Sequence, residues 1–193
     1  NIESTDHLPL ENRVAYMAQD DLLMPWLNIL DNVLLSHRLR ATFSTTVKQK
    51  ALDILENIGL GQDIYLKPHQ LSKGMRQRAS LARTLIEDKP IVLMDEPFCA
   101  LDALTRLKLQ DLSANLLKNH TVILVTHDPM EALRLGHVIK VLKGSPVIVS
   151  SAIVPYSNKL PRSVDDPQIP QFQNEIFEKL LTAKDDKTCA GEH

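Results

Sequence analysis

Asp95 and Glu96 stand side by side at the end of the apolar run Ile91-Val92-Leu93-Met94, and Pro97 follows them directly. An unpartnered carboxylate taken out of water costs several kcal/mol or shifts its pKa until it is neutral. The pair therefore requires a cation, a hydrogen-bonding partner or a solvated crevice. Two further apolar runs end in polar groups: "TVILVT" leads into His127 and Asp128, and "RVAYMA" leads into Gln19. Acids and an imidazole placed this way suit cation binding and proton transfer.

The elements that position these residues are legible from pattern. "IVLMD" and "TVILVTH" lack polar alternation, and the leucine-rich "ALTRLKLQDLSANLLKNH" between them reads as a helix. Strands apolar on both faces and joined by one helix are neighbours in a parallel sheet covered by helices on both sides. Their polar ends then share the carboxyl edge of that sheet, where such folds bind ligands. Residues 13–19 read as another short buried strand.

Residues from about 22 to 87 look like a helical insertion between strands. "DDLLMPWLNILDNVLL" is a loop broken by Pro25 and then an apolar helix, and "TVKQKALDILENIGL" is an amphipathic helix stopped at Gly59. A third helix follows the turn in "KPHQLSKGMRQRASLARTLIEDKP", with Ala79, Ala82, Leu85 and Ile86 inward and Arg76, Arg78 and Arg83 largely outward. Ser72 and Asp102 are candidate N-caps, and Asp128 suits the cap of a helix beginning at Pro129. "VIKVLKGSPVIVS" reads as a hairpin turning at Lys143-Gly144. Residues 155–193 read as a peripheral tail with one helical stretch, "QNEIFEKLLTA", and a frayed end.

Composition sets the bounds. The 193 residues fit one domain, and 44% hydrophobic with 24% charged residues is the balance of a globular chain. No apolar run approaches the ~20 residues of a membrane-spanning helix. A formal net charge of -2 lacks the broad positive field of a duplex binder, so nucleic acid is not expected as a partner. Cys99 and Cys189 stand in unrelated contexts without zinc-ligand spacing, and reduced thiols in the cytoplasm are expected.

Four apolar residues followed by Asp-Glu is the pattern of a Walker B strand, in which the Asp organises Mg2+ and the Glu polarises the water attacking a terminal phosphate. "LSKGMRQR" lies about twenty residues upstream, "ALD" lies just after, and His127 follows further on. Together these residues resemble the nucleotide-binding subunit of an ABC transporter, nearly continuously from about Arg13 to Ser150. The resemblance makes Gln19 the Q-loop glutamine, "LSKGM" the signature sequence, "ALD" the D-loop and His127 the switch histidine. It implies an α/β, P-loop NTPase-like parallel sheet core with an inserted helical subdomain over about 22–87, the partial ATPase domain spanning 1–154.

The implied roles follow. Ser72 and the amides around Gly74, with Lys73 and Met75, would face the phosphate of the nucleotide held by an opposing subunit. Lys73 and Met75 depart from the usual LSGGQ; Lys73 either adds charge toward a phosphate or is solvated, and Met75 loses a polar contact. Gln19 and Asp95 would serve the Mg2+ ion, Glu96 and His127 the hydrolysis of ATP, and Asp102 would reach the partner subunit. Trp26 and its apolar neighbours are either core or close to the cleft that receives a coupling helix. The expected partners are a second ATP-binding subunit forming a homodimer, membrane permease subunits and a solute-binding protein, with this chain on the cytoplasmic membrane face.

"QDDLLMPWLNILDNV" and "DEPFCALDALTR" are most similar to importers of nitrate, sulfonate, taurine and pyrimidine precursors, with the pyrimidine precursor of thiamine as the preferred cargo. A G-x-x-x-x-G-K-[ST] loop is missing from the 193 residues, and the first residue is Asn1. An N-terminally truncated chain, inactive alone, is the expectation. The alternative is a catalytically incomplete subunit that supplies only its signature motif to a partner ATPase.

Overall fold

The computed structural model describes residues 9–10, 12–156 and 159–185, the last four through their backbone alone. Contacts divide the chain between Val125 and Thr126 into two units.

In the first unit, strands β1 (Val14–Met17), β2 (Ile91–Asp95) and β3 (Thr121–Val125) form a parallel sheet in the order β1-β2-β3. Helices α1 (Ile29–Val33), α2 (Leu35–Leu39), α3 (Thr45–Asn57) and α4 (Lys73–Leu85) lie between β1 and β2, and α5 (Ala103–Leu116) joins β2 to β3. Local chemistry sets the helix ends. The side chains of Asn28, Ser44, Ser72 and Asp102 each accept a hydrogen bond from an N–H in the first turn of the helix they precede. Helix α3 stops before Gly59, whose φ of +71° is the left-handed conformation that glycine adopts without penalty.

Helix α4 is the hub of this unit. It packs against α1, α3 and β1, with Ala79, Leu81 and Ala82 fully buried. The apolar stretch after Pro25 forms two short helices, α1 and α2, rather than one, with Leu34 between them. Burial on both sheet faces is not met: Val92 and Met94 share the buried face of β2, Ile91 and Leu93 on its other face are only half-buried, and Val122, Ile123 and Val125 of β3 are exposed. Among the described residues, β3 pairs with β2 alone.

Asn32 is completely buried beneath the loop that carries Trp26. Its Oδ1 accepts from Met24 N at 2.7 Å, and its Nδ2 donates to the carbonyls of Met24, Leu27 and Asn28 at 3.0–3.2 Å. Asn32→Leu keeps the bulk and strands these groups, at about 1–3 kcal/mol for each left unsatisfied. Urea unfolding is expected to show a loss of about 3 kcal/mol. A loss under about 1 kcal/mol would show that water replaces the amide.

The second unit contains α6 (Pro129–Leu135), the antiparallel pair β4 (Leu142–Lys143) and β5 (Ile148–Val149), and α7 (Ile169–Asp185). Asp128 caps α6 by accepting from Met130 N and Glu131 N, and Gly144 turns the hairpin with φ +78°. The described residues beyond 154 are not all peripheral. Ile169, Phe172 and Ile176 share one buried cluster with Leu133, Ile139, Val141 and Ile153. Their helical spacing makes a stripe that the proline-rich approach to α7 obscured. Arg162, 4% exposed, donates to the carbonyls of Leu133 and Gly136 at the end of α6, and Arg134 Nε donates back to the Arg162 carbonyl at 3.0 Å. Burial lowers the Arg162 pKa from its ordinary value, and these carbonyls compensate the desolvated cation. Cys189 lies outside the described residues, while Cys99 is a free, exposed thiol.

Candidate functional site

Parallel pairing places Met17 opposite Met94 and Asp95 opposite Val125. Gln19, two residues past Met17, and Glu96, two past Met94, therefore leave the same carboxyl edge on adjacent strands, whose usual spacing is about 4.8 Å. Asp95 is the last residue of β2 and half-buried, and Gln19 is exposed. The opening difficulty is resolved at this edge, because the acids emerge from the sheet instead of remaining inside it.

Glu96 has φ +51°, a left-handed conformation uncommon for a residue with a side chain. Such a conformation costs about 1–3 kcal/mol and persists only where surrounding contacts enforce it. Glu96 N donates to Val125 O at 2.9 Å, tying the turn to β3. Gln77, 3% exposed on α4, donates through Nε2 to the carbonyls of Glu96 at 3.3 Å and Pro97 at 3.2 Å. Cys99 N also donates to the Glu96 carbonyl at 3.4 Å. At about 0.5–1.5 kcal/mol each, these hydrogen bonds together match the conformational cost.

One turn before Gln77 on the same face, Gly74 meets the loop between β2 and α5. A Cβ at Gly74 would lie 3.1 Å from Ala100 O and 3.7 Å from Leu101 Cδ2. This approach builds a groove lined by Ser72, Gly74, Met75 and Arg78 on one side and Ala100, Leu101, Asp102 and Thr105 on the other. Ser72 Oγ accepts from Met75 N at 3.2 Å, and Asp102 Oδ1 accepts from Thr105 N at 3.0 Å. The Thr105 N–H holds the Asp102 carboxyl below the usual carboxylate range. The groove thus combines a positive helix start with a fixed negative charge.

The arginines of α4 do not simply face water. Arg83 donates to the carbonyls of Asp21 and Leu22 at 2.7 and 2.8 Å, while Arg76 Nε reaches Asp21 Oδ2 at 2.9 Å. Arg78 donates to the carbonyls of Ile58 and Gly59. Burial lowers the pKa of Arg83, opposed by the charges of Asp21 and Glu87. Three guanidinium groups thereby fasten backbone turns to one helix, including Leu22 with φ +46° just after Gln19. Trp26 is 68% exposed and so not core.

The structure brings the sequence-designated residues into two neighbouring sets within the first unit. Gln19, Asp95 and Glu96 share the sheet edge, and Ser72, Gly74, Met75 and Asp102 share the groove. Lys73 is exposed at the first position of α4. His127, also exposed, belongs to the second unit and directly precedes Asp128, the cap of α6. Gln77 escaped the sequence reading. Its signal was a polar residue three after Gly74 and four before the buried Leu81, on the inward face.

The donor chemistry suits a magnesium nucleotide. Asp95 and Gln19 offer hard oxygen donors, which magnesium prefers, and the described residues contain no group of three or more His, Cys, Asp or Glu able to hold a metal. Magnesium commonly takes one or two protein oxygens and completes its shell with water and phosphate. The start of α4 presents backbone N–H groups suited to an anion.

Three comparisons bear on this arrangement. A family profile described as ABC transporter matches residues 1–99. An ABC transporter ATP-binding protein of Haemophilus influenzae is 40% identical over 171 residues, covering 87% of this chain and 71% of that protein. The aliphatic sulfonates import ATP-binding protein SsuB 1 of Rhodococcus jostii is 37% identical over 184 residues, 94% of this chain and 71% of its own. Among solved structures, the dimeric ATP-binding cassette MJ0796 in a post-hydrolysis state with ADP and Pi superposes with a TM-score of 0.60 at 35% identity. That match covers 66% of this chain and 57% of the cassette, so the chain spans less than two thirds of it.

Proposed function

We propose, from the premise that this chain belongs to the ABC transporter family and has its α/β, P-loop NTPase-like fold, that it is an ATP-hydrolysing subunit energising import of a small solute. The single observation that carries the reading is Asp95-Glu96 leaving the sheet edge beside a groove built from Ser72, Gly74 and Asp102. In this reading Asp95 and Gln19 hold Mg2+, which neutralises phosphate charge when bound. Glu96 accepts a proton from the attacking water, and His127 donates a hydrogen bond toward the terminal phosphate.

Ser72, Gly74 and the start of α4 bind the phosphate of a nucleotide carried by a second copy, and Asp102 reaches toward that copy. Lys73 adds a cation where the helix dipole is already positive, an unfavourable placement that an anion relieves. The helical segment over about 22–87 is the inserted subdomain, and its exposed Trp26 and Leu22 face a permease. No described helix is long and apolar enough to cross a membrane. In this reading the subunit lies peripherally on the cytoplasmic face and works with permease subunits and a solute-binding protein. Aliphatic sulfonates are the first cargo to test, because several similar proteins carry that name. The pyrimidine precursor of thiamine is the second.

The test is Mg-ATP turnover by the native gene product, reconstituted with its permease and solute-binding protein. Dimerisation on ATP and turnover stimulated by a sulfonate are expected. Failure of the assembled complex to hydrolyse Mg-ATP would overturn the reading, and stimulation by the pyrimidine precursor alone would replace the cargo.

A further inference from the structure

We propose that Gln77 is a positioning residue for Glu96, holding the left-handed backbone turn that aims the carboxylate. The proposal rests on Glu96 acting as the base in the reading above. Its support is geometric. The Gln77 side chain is 3% exposed, and its amide donates to consecutive carbonyls of the turn, Glu96 at 3.3 Å and Pro97 at 3.2 Å. Glu96 is the residue with φ +51°. The other buried polar side chains of α4, Ser80 and Thr84, include a hydroxyl that bonds within the helix, Thr84 Oγ1 to Ser80 O at 3.1 Å, whereas the Gln77 amide reaches out of the helix to the turn.

Position on the helix adds a second consequence. Gly74 and Gln77 are three residues apart and lie on one face, which meets the Glu96–Leu101 turn at both its ends. The start of α4 and the turn that carries Glu96 are thus joined at two points, Gly74 against Ala100 and Gln77 against Glu96 and Pro97.

The experiment uses Gln77→Met, which preserves volume and removes the donor, together with Glu96→Gln and the double variant. Without nucleotide, amide hydrogen exchange over Met94–Leu101 is expected to quicken about tenfold or more in Gln77→Met, while exchange over Ala79–Leu85 stays unchanged. In the reconstituted native complex, kcat is expected to fall about tenfold to a hundredfold with KM for Mg-ATP within about threefold, the scale of a misaimed group. In the Glu96→Gln background the same change is expected to lower the residual rate less than about twofold.

Equal losses in both backgrounds, or unchanged exchange over Met94–Leu101, would overturn the positioning role. Should Gln77→Met fail to fold, Gln77→Asn withdraws the amide by one methylene and is read with the same measurements and criteria. Unchanged turnover in Glu96→Gln alone would remove the underlying reading and this proposal with it. A strong Glu96→Gln loss beside a silent Gln77→Met would remove the proposal and leave that reading standing.

Discussion

Glu96→Gln is expected to leave Mg-ATP binding intact and to lower hydrolysis by two or more orders of magnitude, the usual scale for losing a general base. The substitution is close to isosteric and retains an oxygen, and the turn is expected to keep its φ of +51°. What disappears is the capacity to take a proton from water. Its backbone N–H donates to Val125 O, its carbonyl accepts from Gln77 and Cys99, and none of these three bonds needs the carboxylate. Nucleotide binding by equilibrium dialysis and turnover by phosphate release separate the two effects. A variant that turns over at the parental rate would take Glu96 out of the reaction.

Gly74→Val is the second large effect. The ideal Cβ already lies 3.1 Å from Ala100 O, so alanine requires a shift of a few tenths of an ångström, whereas the branched methyls of valine require the loop or the helix start to move apart. Overpacking of this kind costs about 1–3 kcal/mol. The groove between Ser72 and Asp102 is built on that contact, so its geometry changes as well. ATP-dependent dimerisation, followed by sedimentation, is expected to be lost, and turnover to fall at least tenfold, as about 1 Å of misplacement can cost more than that. Gly74→Ala is expected to retain most activity. Parental dimerisation in the valine variant would show that the close approach serves packing within one chain alone.

Much of the site was legible without coordinates because its signals are local. Ser72, Asp102 and Asp128 cap helices as their residue types and neighbours indicate, and each side chain accepts from an N–H two or three residues later. The apolar runs of β1 and β2 and their polar ends also needed only the order of residues. Misreadings arose where distant segments decide. Arg83 looked solvent-facing by helical spacing, but its acceptors are the carbonyls of Asp21 and Leu22, some sixty residues away in sequence. Residues beyond 154 looked peripheral because proline and polar residues surround the stripe Ile169, Phe172 and Ile176, whose apolar partners come from 133–153.

Sequence by itself settled which chemical groups stand at strand ends and helix starts, because periodicity and capping act over a few residues. Tertiary structure alone decided that Glu96 is held in a left-handed turn, that Gln77 reaches it across about twenty residues, and that Gly74 touches Ala100. Those outcomes depend on close packing between segments that no local pattern relates, and a buried amide or a missing Cβ acquires its meaning only from the atoms placed against it.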